Sequence, residues 1–153
     1  VEDELRIVRT YMTLLAARYG DNVQVTLDVR EETLDLPIPK FIIQPFVENA
    51  IYHGLPDQKG HIRLSVSLGE RSELIIAVED DGRGMTPEQI ERIVNLEHWK
   101  EGMGIGIRYV KEILHYTYGD RCLIEFLHAS GPSGLLVRII IRELLSGLAA
   151  ETR

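Results

Sequence analysis

Apolar residues recur along this chain with a period that changes repeatedly between that of a helix and that of a strand, and this alternation restricts the fold most. A helical period predicts helices over residues 2 to 19, about 39 to 53, and 106 to 118. Because Pro45 lies inside the second of these ranges, that helix either starts near Pro45 or bends there. Strand-like alternation covers residues 23 to 29, 62 to 68, 74 to 78, 122 to 127 and 135 to 141, the last four as two hairpins. Helices that alternate with hairpins favour an α/β two-layer sandwich over a doubly wound parallel sheet.

The composition is that of one ordinary globular domain. The 153 residues include 17 Lys and Arg against 24 Asp and Glu, a formal net charge of -7, so the basic surface that a nucleic-acid binder needs is lacking. The single Cys122 cannot form an internal disulfide, which fits a reducing cytoplasm. The apolar run at residues 135 to 141 is far shorter than the ~20 residues of a membrane helix. The chain starts at Val1 rather than at Met, which predicts a fragment of a longer protein.

The first of three unusual segments is QPFVENAIYHG, residues 44 to 54. Asn49 and His53 are four residues apart and therefore project from the same face of a helix, one turn after Pro45. An amide oxygen and an imidazole on one face can hold a hydrated metal ion and a phosphate. The alternative is a helix that simply ends with polar residues and a glycine cap at Gly54.

The second segment is VEDDGRGM, residues 78 to 85, which follows directly on a predicted strand. Asp80 stands at the strand end, where its carboxylate would be partly buried, and a buried carboxylate needs a hydrogen-bond donor. The exocyclic amine of adenine is such a donor, and Gly82 and Gly84 would let the backbone approach a flat ligand. The alternative is a solvated Asp-Gly turn.

The third segment is Gly102-x-Gly104-x-Gly106, directly before a predicted helix. Alternating glycines free backbone N–H groups to point at phosphate oxygens, and the N-terminus of the helix adds partial positive charge. The alternative is a flexible hinge. A Rossmann fingerprint is excluded because residue 107 is Ile, and a P-loop is excluded because the chain has no Gly-x-x-x-x-Gly-Lys.

Together and in this order, the three segments resemble the asparagine box and the two glycine boxes of the Bergerat-fold (GHKL) ATP-binding domain, which gyrase, Hsp90, MutL and histidine kinases share. Residues 44 to 54 resemble more specifically the LytS-type sensor histidine kinases, in which this helix is close to Gln-Pro-Leu-Val-Glu-Asn-Ala. The resemblance covers nearly the whole chain, from residue 2 to residue 141. It implies a two-layer α/β sandwich of the Bergerat type, with a mixed sheet covered by about three helices.

The resemblance implies ATP and Mg²⁺ as cofactors and gives each box a role. Asn49 would coordinate the Mg²⁺ that bridges the phosphates, and Glu48 and His53 would complete the catalytic set with polar roles near the Mg²⁺ or the phosphates. Asp80 would accept a hydrogen bond from the adenine amine. The other implied ATP-binding residues are Gly82, Gly84, Met85, Gly102, Gly104, Ile105 and Gly106, and residues 85 to 101 would form the ATP lid.

The resemblance also implies that this chain is one part of a histidine protein kinase. Residues 1 to 20 would be a linker helix from a dimerisation region, residues 21 to 142 the ATP-binding catalytic domain, and residues 143 to 153 a C-terminal tail. No His precedes His53, so the phosphoacceptor would lie on an upstream dimerisation helix, and this chain alone would not autophosphorylate. The implied partners are that helix, a downstream response regulator and a second copy of the full-length protein. The implied location is the cytoplasmic side of a membrane-anchored bacterial sensor kinase.

Four positions depart from the family pattern: Tyr52 where Lys is usual, Tyr109 where Asn is frequent, Ile113 where Arg is frequent, and Leu135 where Thr is expected. These departures keep open a pseudokinase that binds nucleotide without transferring phosphate. A GHKL relative that phosphorylates Ser, or that hydrolyses ATP, is a further alternative. The hydrolases place a Glu general base where Pro45 stands, which argues against activation of water.

Overall fold

The N-terminal helix α1 (Glu2–Tyr19) forms where the apolar period predicts it, in a computed structural model that describes residues 1–94 and 105–144. Its buried stripe contains Leu5, Val8 and Leu15. Three acidic residues in its first turn and Arg18 in its last turn lie at the favourable ends of the helix dipole. The helix packs on α2 (Gln44–Asn49), so α1 belongs to the same hydrophobic core as the rest of the described chain.

Five strands form one mixed sheet in the order β1-β2-β3-β5-β4. The strands are β1 (Val23–Val29), β2 (Gly60–Leu68), β3 (Leu74–Asp80), β4 (Cys122–His128) and β5 (Leu135–Ile141). Strands β1 and β2 are parallel and every other neighbouring pair is antiparallel. The two predicted hairpins, β2–β3 and β4–β5, are confirmed. The connection from β1 to β2 returns to the starting end of the sheet because these strands are parallel, and it carries α2.

Helices cover one face of the sheet. Buried positions alternate along the strands, as in β2, where Ile62, Leu64 and Val66 are buried. The amphipathic helix α4 (Ile105–Tyr118) adds its own buried side chains to this layer. On the opposite face, Arg138 forms an ion pair with Glu125 at 2.7 Å. The arrangement is the predicted two-layer α/β sandwich.

Helix α2 starts later than residue 39, the earlier of the two starts that the sequence allows. It begins at Gln44, with Pro45 in its first turn. A proline is tolerated there because the N–H groups of the first turn have no partner within the helix. The preceding segment cannot continue the helix because Phe41 has a φ of 62°. After Asn49 the chain widens into a π turn, Ala50–Gly54, in which the N–H of Leu55 donates to the carbonyl of Ala50 at 2.8 Å.

Helix α3 (Pro87–Val94) begins with a side-chain cap at Thr86. The N–H of Gln89 donates to Thr86 Oγ1 at 3.2 Å, and the N–H of Thr86 donates to Gln89 Oε1 at 2.8 Å, which is a reciprocal capping box. Most of the predicted C-terminal tail, residues 143 to 153, lies outside the described residues. None of the helices within residues 1–94 and 105–144 has the length and apolarity to cross a membrane.

Candidate functional site

Helix α2, the π turn after it and the first turn of α4 line an open cavity of about 140 Å³. Asn49 closes α2, is only 8% exposed and lines this cavity. The other lining residues are Pro45, Glu48, Tyr52, His53, Gly106 and Ile107. The four-residue spacing of Asn49 and His53 therefore brings both to one cavity, even though a π turn lies between them.

The polar groups of this cavity differ in how firmly they are held. Glu48 accepts a hydrogen bond from the Gln44 side-chain amide at 2.8 Å, which orients its carboxylate. His53 is exposed. On the α4 side, a Cβ at Gly106 would lie 3.1 Å from the Cβ of Pro45, so the glycine lets α4 approach α2 closely.

Asp80 lies at the end of β3 and is only 4% exposed. Its Oδ1 accepts hydrogen bonds from the N–H of Gly82 at 2.9 Å and, more weakly, from the N–H of Leu135 at 3.4 Å. Within the described residues its second oxygen, Oδ2, accepts none. Burial raises the pKa of Asp80 above its ordinary value, and the two hydrogen bonds oppose that rise. This carboxylate can accept a hydrogen bond from a donor outside the chain.

The turn after Asp80 docks against the end of the π turn. The N–H of Arg83 donates to the carbonyl of Gly54 at 2.9 Å. A Cβ at Gly82 would lie 2.1 Å from that same carbonyl oxygen, closer than any side chain allows, so only glycine fits. Gly54 itself lies under the Asp80 carboxylate, where a Cβ would be 3.0 Å from both carboxylate oxygens. Gly54 therefore joins the asparagine segment to the aspartate segment.

Two further residues, Gly134 and Leu135, belong to this region and were not predicted as site residues. Gly134 has a φ of 115°, and a Cβ there would lie 1.9 Å from the Asp80 carbonyl oxygen. Leu135 contributes only its backbone N–H. In the sequence both look like the end of a hairpin loop. The one available signal is the Gly-Pro-Ser-Gly turn that connects β4 to β5, the strand whose other edge pairs with β3.

Of the remaining predicted site residues, the structure describes some and not others. Met85 is half-buried and packs against the hydrophobic core rather than lining the cavity beside Asn49. Gly84 lies near Gly134, with a Cβ position 2.9 Å from its carbonyl oxygen. Gly102 and Gly104 fall outside the described residues, and the side chain of Ile105 does as well. The predicted lid, residues 85 to 101, is described only as far as residue 94.

The four departures from the family pattern lie in different surroundings. Tyr52 lines the cavity and is 46% exposed, and Tyr109 is 43% exposed on α4. Ile113 packs against the hydrophobic core. Leu135 buries its side chain, while the contact to Asp80 is made by its backbone and so does not depend on the side-chain type.

The described residues thus form two polar centres joined through Gly54. The first, at Asn49, combines amide, carboxylate and imidazole groups in a cavity beside the N-terminal turn of a 14-residue helix, where partial positive charge favours an anion. The second is the buried carboxylate of Asp80, which suits an N–H donor such as an exocyclic amine. No group of three or more His, Cys, Asp or Glu side chains in residues 1–94 and 105–144 is arranged to hold a metal ion.

Comparison with known proteins gives a family match across most of the chain. The model of the family described as histidine kinase-, DNA gyrase B-, and HSP90-like ATPase matches residues 34–144. The sensor histidine kinase YpdA of Escherichia coli (strain K12) is 36% identical over 121 residues, which are 78% of this chain and 21% of that protein. The sensor protein LytS of Staphylococcus saprophyticus is 31% identical over 127 residues, which are 82% of this chain and 22% of that protein.

A solved structure supports the fold. The nucleotide-free catalytic domain of the histidine kinase ThkA matches with a TM-score of 0.71 and 17% identity, over 91% of this chain and 91% of that one. The predicted Bergerat-type α/β fold is therefore confirmed. The chain spans only about a fifth of the length of the two sensor proteins compared above.

Proposed function

Because the chain belongs to the histidine kinase-, DNA gyrase B-, and HSP90-like ATPase family, as the ATPase domain of a LytS-like sensor histidine kinase, we propose that it binds Mg·ATP and transfers the γ-phosphate to a histidine. The observation that carries the proposal is the buried Asn49 in a cavity beside the N-terminal turn of α4. A helix N-terminus and a neighbouring amide oxygen together suit a phosphate and its cation.

In this proposal the two polar centres take the two ends of the nucleotide. Asp80 accepts a hydrogen bond from the adenine amine, and its orientation by the N–H groups of Gly82 and Leu135 supports that role. Gly82 and Gly84 line the adenine end. At the other end, Gly106 and the N-terminal turn of α4 face the phosphates, together with Gly102 and Gly104, and His53 donates a hydrogen bond to a phosphate oxygen. Met85 and Ile105 complete the proposed ATP-binding set, and residues 85 to 101 are the proposed lid.

The residues beside the cavity fit an Mg²⁺ ion that arrives with ATP. Mg²⁺ commonly keeps several waters and takes one or two protein oxygens in addition to phosphate oxygens. Asn49 offers its amide oxygen, and the Glu48 carboxylate lies next to it on the same cavity, held by Gln44. The ion supplies charge neutralisation on the phosphates, and the protein supplies position.

The chemistry we propose is transfer to a protein nitrogen rather than hydrolysis. An imidazole nitrogen of the acceptor histidine attacks the γ-phosphorus, the bond from that phosphorus to the bridging oxygen breaks, and ADP leaves. Pro45 lines the cavity at the position where the related hydrolases have a Glu general base. A proline side chain accepts no proton, which disfavours water activation there and favours transfer.

The rest of the protein is inferred from the kind of relative it resembles. We propose that the acceptor histidine lies on a dimerisation helix to which α1 is the linker, and that the full-length kinase is a homodimer. We further propose a response regulator as the next phosphate acceptor and a cytoplasmic position for this domain in a membrane-anchored bacterial sensor. These proposals concern the four fifths of a relative's length that this chain does not span.

Calorimetry tests the nucleotide assignment. We expect this chain to bind ADP and a non-hydrolysable ATP analogue, and Mg²⁺ to tighten both. Asp80→Asn should lose about 10- to 150-fold in affinity, as removal of a hydrogen bond to a charged group costs about 1.5–3 kcal/mol. Asp81→Asn is the matched control because it removes the neighbouring exposed carboxylate. Wild-type protein that binds neither nucleotide would refute the proposal.

Phosphotransfer is tested separately. Wild-type chain mixed with Mg·ATP and a dimerisation segment of the full-length protein should produce acid-labile, base-stable phosphohistidine on that segment. Asn49→Ala should abolish this product. A chain that binds Mg·ATP but never labels the segment would identify the pseudokinase alternative.

A further inference from the structure

Glu4 of α1 has an unusual position for a charged side chain, because it is only 2% exposed. Its Oε1 accepts a hydrogen bond from the N–H of Phe41 at 2.5 Å, and its Oε2 accepts from the N–H groups of Ile42 and Ile43 at 2.9 and 3.0 Å. A buried carboxylate is costly unless it is hydrogen-bonded, and here three consecutive backbone amides satisfy it. The positive φ of Phe41 belongs to this concave arrangement of amides.

These three amides directly precede helix α2. The N-cap residue of α2 is Ile43, and no side chain of the local sequence caps this helix. Glu4 therefore holds the backbone directly before the helix, rather than the N–H groups of its first turn, from a position 37 to 39 residues earlier in the chain. Its negative charge at the N-terminal end of α2 is also favourable for the helix dipole.

The end that Glu4 holds is close to the residue proposed to bind Mg²⁺. Helix α2 has only six residues, a length of about 9 Å, and it ends at Asn49. Phe46 and Val47 are buried between the two ends, so the helix is packed as a rigid piece. A shift of the first turn is therefore transmitted to Asn49.

A second residue of α1 lies beside the other end of this segment. Tyr11 is two turns after Glu4, and its hydroxyl is buried. Burial raises the pKa of Tyr11, and the neighbouring Tyr52 and Glu48 raise it further. Both neighbours line the cavity of Asn49. Helix α1 thus presents its Glu4 carboxylate to the backbone before α2 and places Tyr11 near the residues that line the cavity.

We propose that Glu4 is a positioning residue for Asn49, and that through it α1 sets the Mg²⁺-dependent part of nucleotide binding. The inference rests on the proposed function, since it needs Asn49 to act as the Mg²⁺ ligand. It assigns no contact between Glu4 and the nucleotide. Asp80, on β3, meets the asparagine segment at Gly54, beyond Asn49 and at the end of the π turn, so we expect binding of the adenine end not to change with Glu4.

The test is the factor by which Mg²⁺ tightens ADP binding, measured by calorimetry on wild type and on Glu4→Gln. Glutamine keeps one oxygen for two of the amides and turns an NH₂ group against the third. We expect the Mg²⁺ factor to fall at least about fivefold, the lower end of usual coupling between sites, while ADP binding without Mg²⁺ stays unchanged. Leu15→Ala is the control, because it creates a cavity under the same helix far from Glu4. It should lower Tm and keep the Mg²⁺ factor.

A reciprocal measurement on the wild type covers the case in which Glu4→Gln does not fold. If Asn49 and Glu4 are coupled, binding of Mg²⁺ must strengthen the hydrogen bonds that the N–H groups of Phe41, Ile42 and Ile43 donate to Glu4. Hydrogen exchange at these amides should be slower with Mg·ADP than with ADP alone. Unchanged exchange, or an unchanged Mg²⁺ factor in folded Glu4→Gln, would overturn the positioning role and leave the proposed function standing. Wild type whose ADP binding does not respond to Mg²⁺ would overturn both.

Discussion

A single methyl group added at Gly134 would test the packing around Asp80 directly. The Cβ of Gly134→Ala would lie 1.9 Å from the Asp80 carbonyl oxygen and 3.1 Å from the Cβ of Ala129. The φ of 115° at this position is also one that L residues rarely adopt. To relieve the contact, the backbone of β3 or β5 must move at the point where Leu135 donates its N–H to Asp80.

The expected cost has two parts. Forcing an extra carbon into a packed site costs about 1–3 kcal/mol, and holding Ala in a strained backbone conformation costs about 1–3 kcal/mol more. The free energy of unfolding should therefore fall by about 2–6 kcal/mol, which for a chain of this size lowers Tm by roughly 4–24 °C. Nucleotide affinity should fall as well, because the clash displaces the backbone that orients the Asp80 carboxylate.

Two control variants separate the strain from the clash. Gly119→Ala places Ala at a φ of 55° with no atom within 4 Å, so it should cost only the strain, about 1–2 kcal/mol. Gly131→Ala lies in the same loop as Gly134, and its nearest contact is 3.7 Å, so it should change stability by less than about 0.5 kcal/mol. Urea unfolding followed by circular dichroism gives all three values. If Gly134→Ala were as stable as Gly131→Ala, the close approach of Gly134 to Asp80 would be wrong.

Three further predictions follow from the ionisable groups. Burial raises the folded-state pKa of Asp80, so its ionised form costs stability at neutral pH. Asp80→Asn should therefore unfold at a higher Tm than wild type at pH 7, and this advantage should shrink as the pH falls through the folded pKa; equal Tm values at pH 7 would contradict the burial. The hydroxyl and N–H of Ser130 lower the pKa of Glu79, whose stabilisation is present above its unfolded pKa and lost as the pH falls. Glu79→Gln should thus be less stable than wild type at pH 7 and match it near about pH 2, whereas a constant difference in a Tm series would exclude this cause. Burial raises the pKa of Cys122 to about 11, so at pH 8 iodoacetamide should modify it slowly in the folded chain and rapidly in urea. Equal rates would show that the thiol is not buried.

The elements that sequence patterns predict well are those shaped by one-sided burial. Helix α1 and the β2–β3 hairpin each place one face in the core, so their apolar residues carry the period of the element. The Thr86 cap of α3 was also predictable, because a capping box is a local interaction. The asparagine segment and Asp80 could be identified because residue type, spacing and order occur together.

The features that could not be predicted depend on contacts between distant residues. The backbone directly before α2 donates to the Glu4 carboxylate, 37 residues before Phe41, and no local signal marks that pairing. The role of Leu135 depends on its backbone N–H, which no side-chain pattern can reveal. The parallel pairing of β1 with β2 is equally hidden, because alternation fixes which face of a strand is buried and not which strand lies beside it.

The hydrogen bond between Leu135 and Asp80 joins residues 55 positions apart, and this has a consequence for folding. Asp80 receives its second donor only after β5, the last described strand, has paired with β3. During synthesis from the N-terminus, β3 leaves the ribosome before β5. Until β5 follows, the Asp80 carboxylate lacks the hydrogen bond from Leu135 and is not fully oriented. A ligand that requires the completed site binds the finished fold and no earlier state. At a concentration of 100 times its Kd, such a ligand would stabilise that fold by about 2.7 kcal/mol.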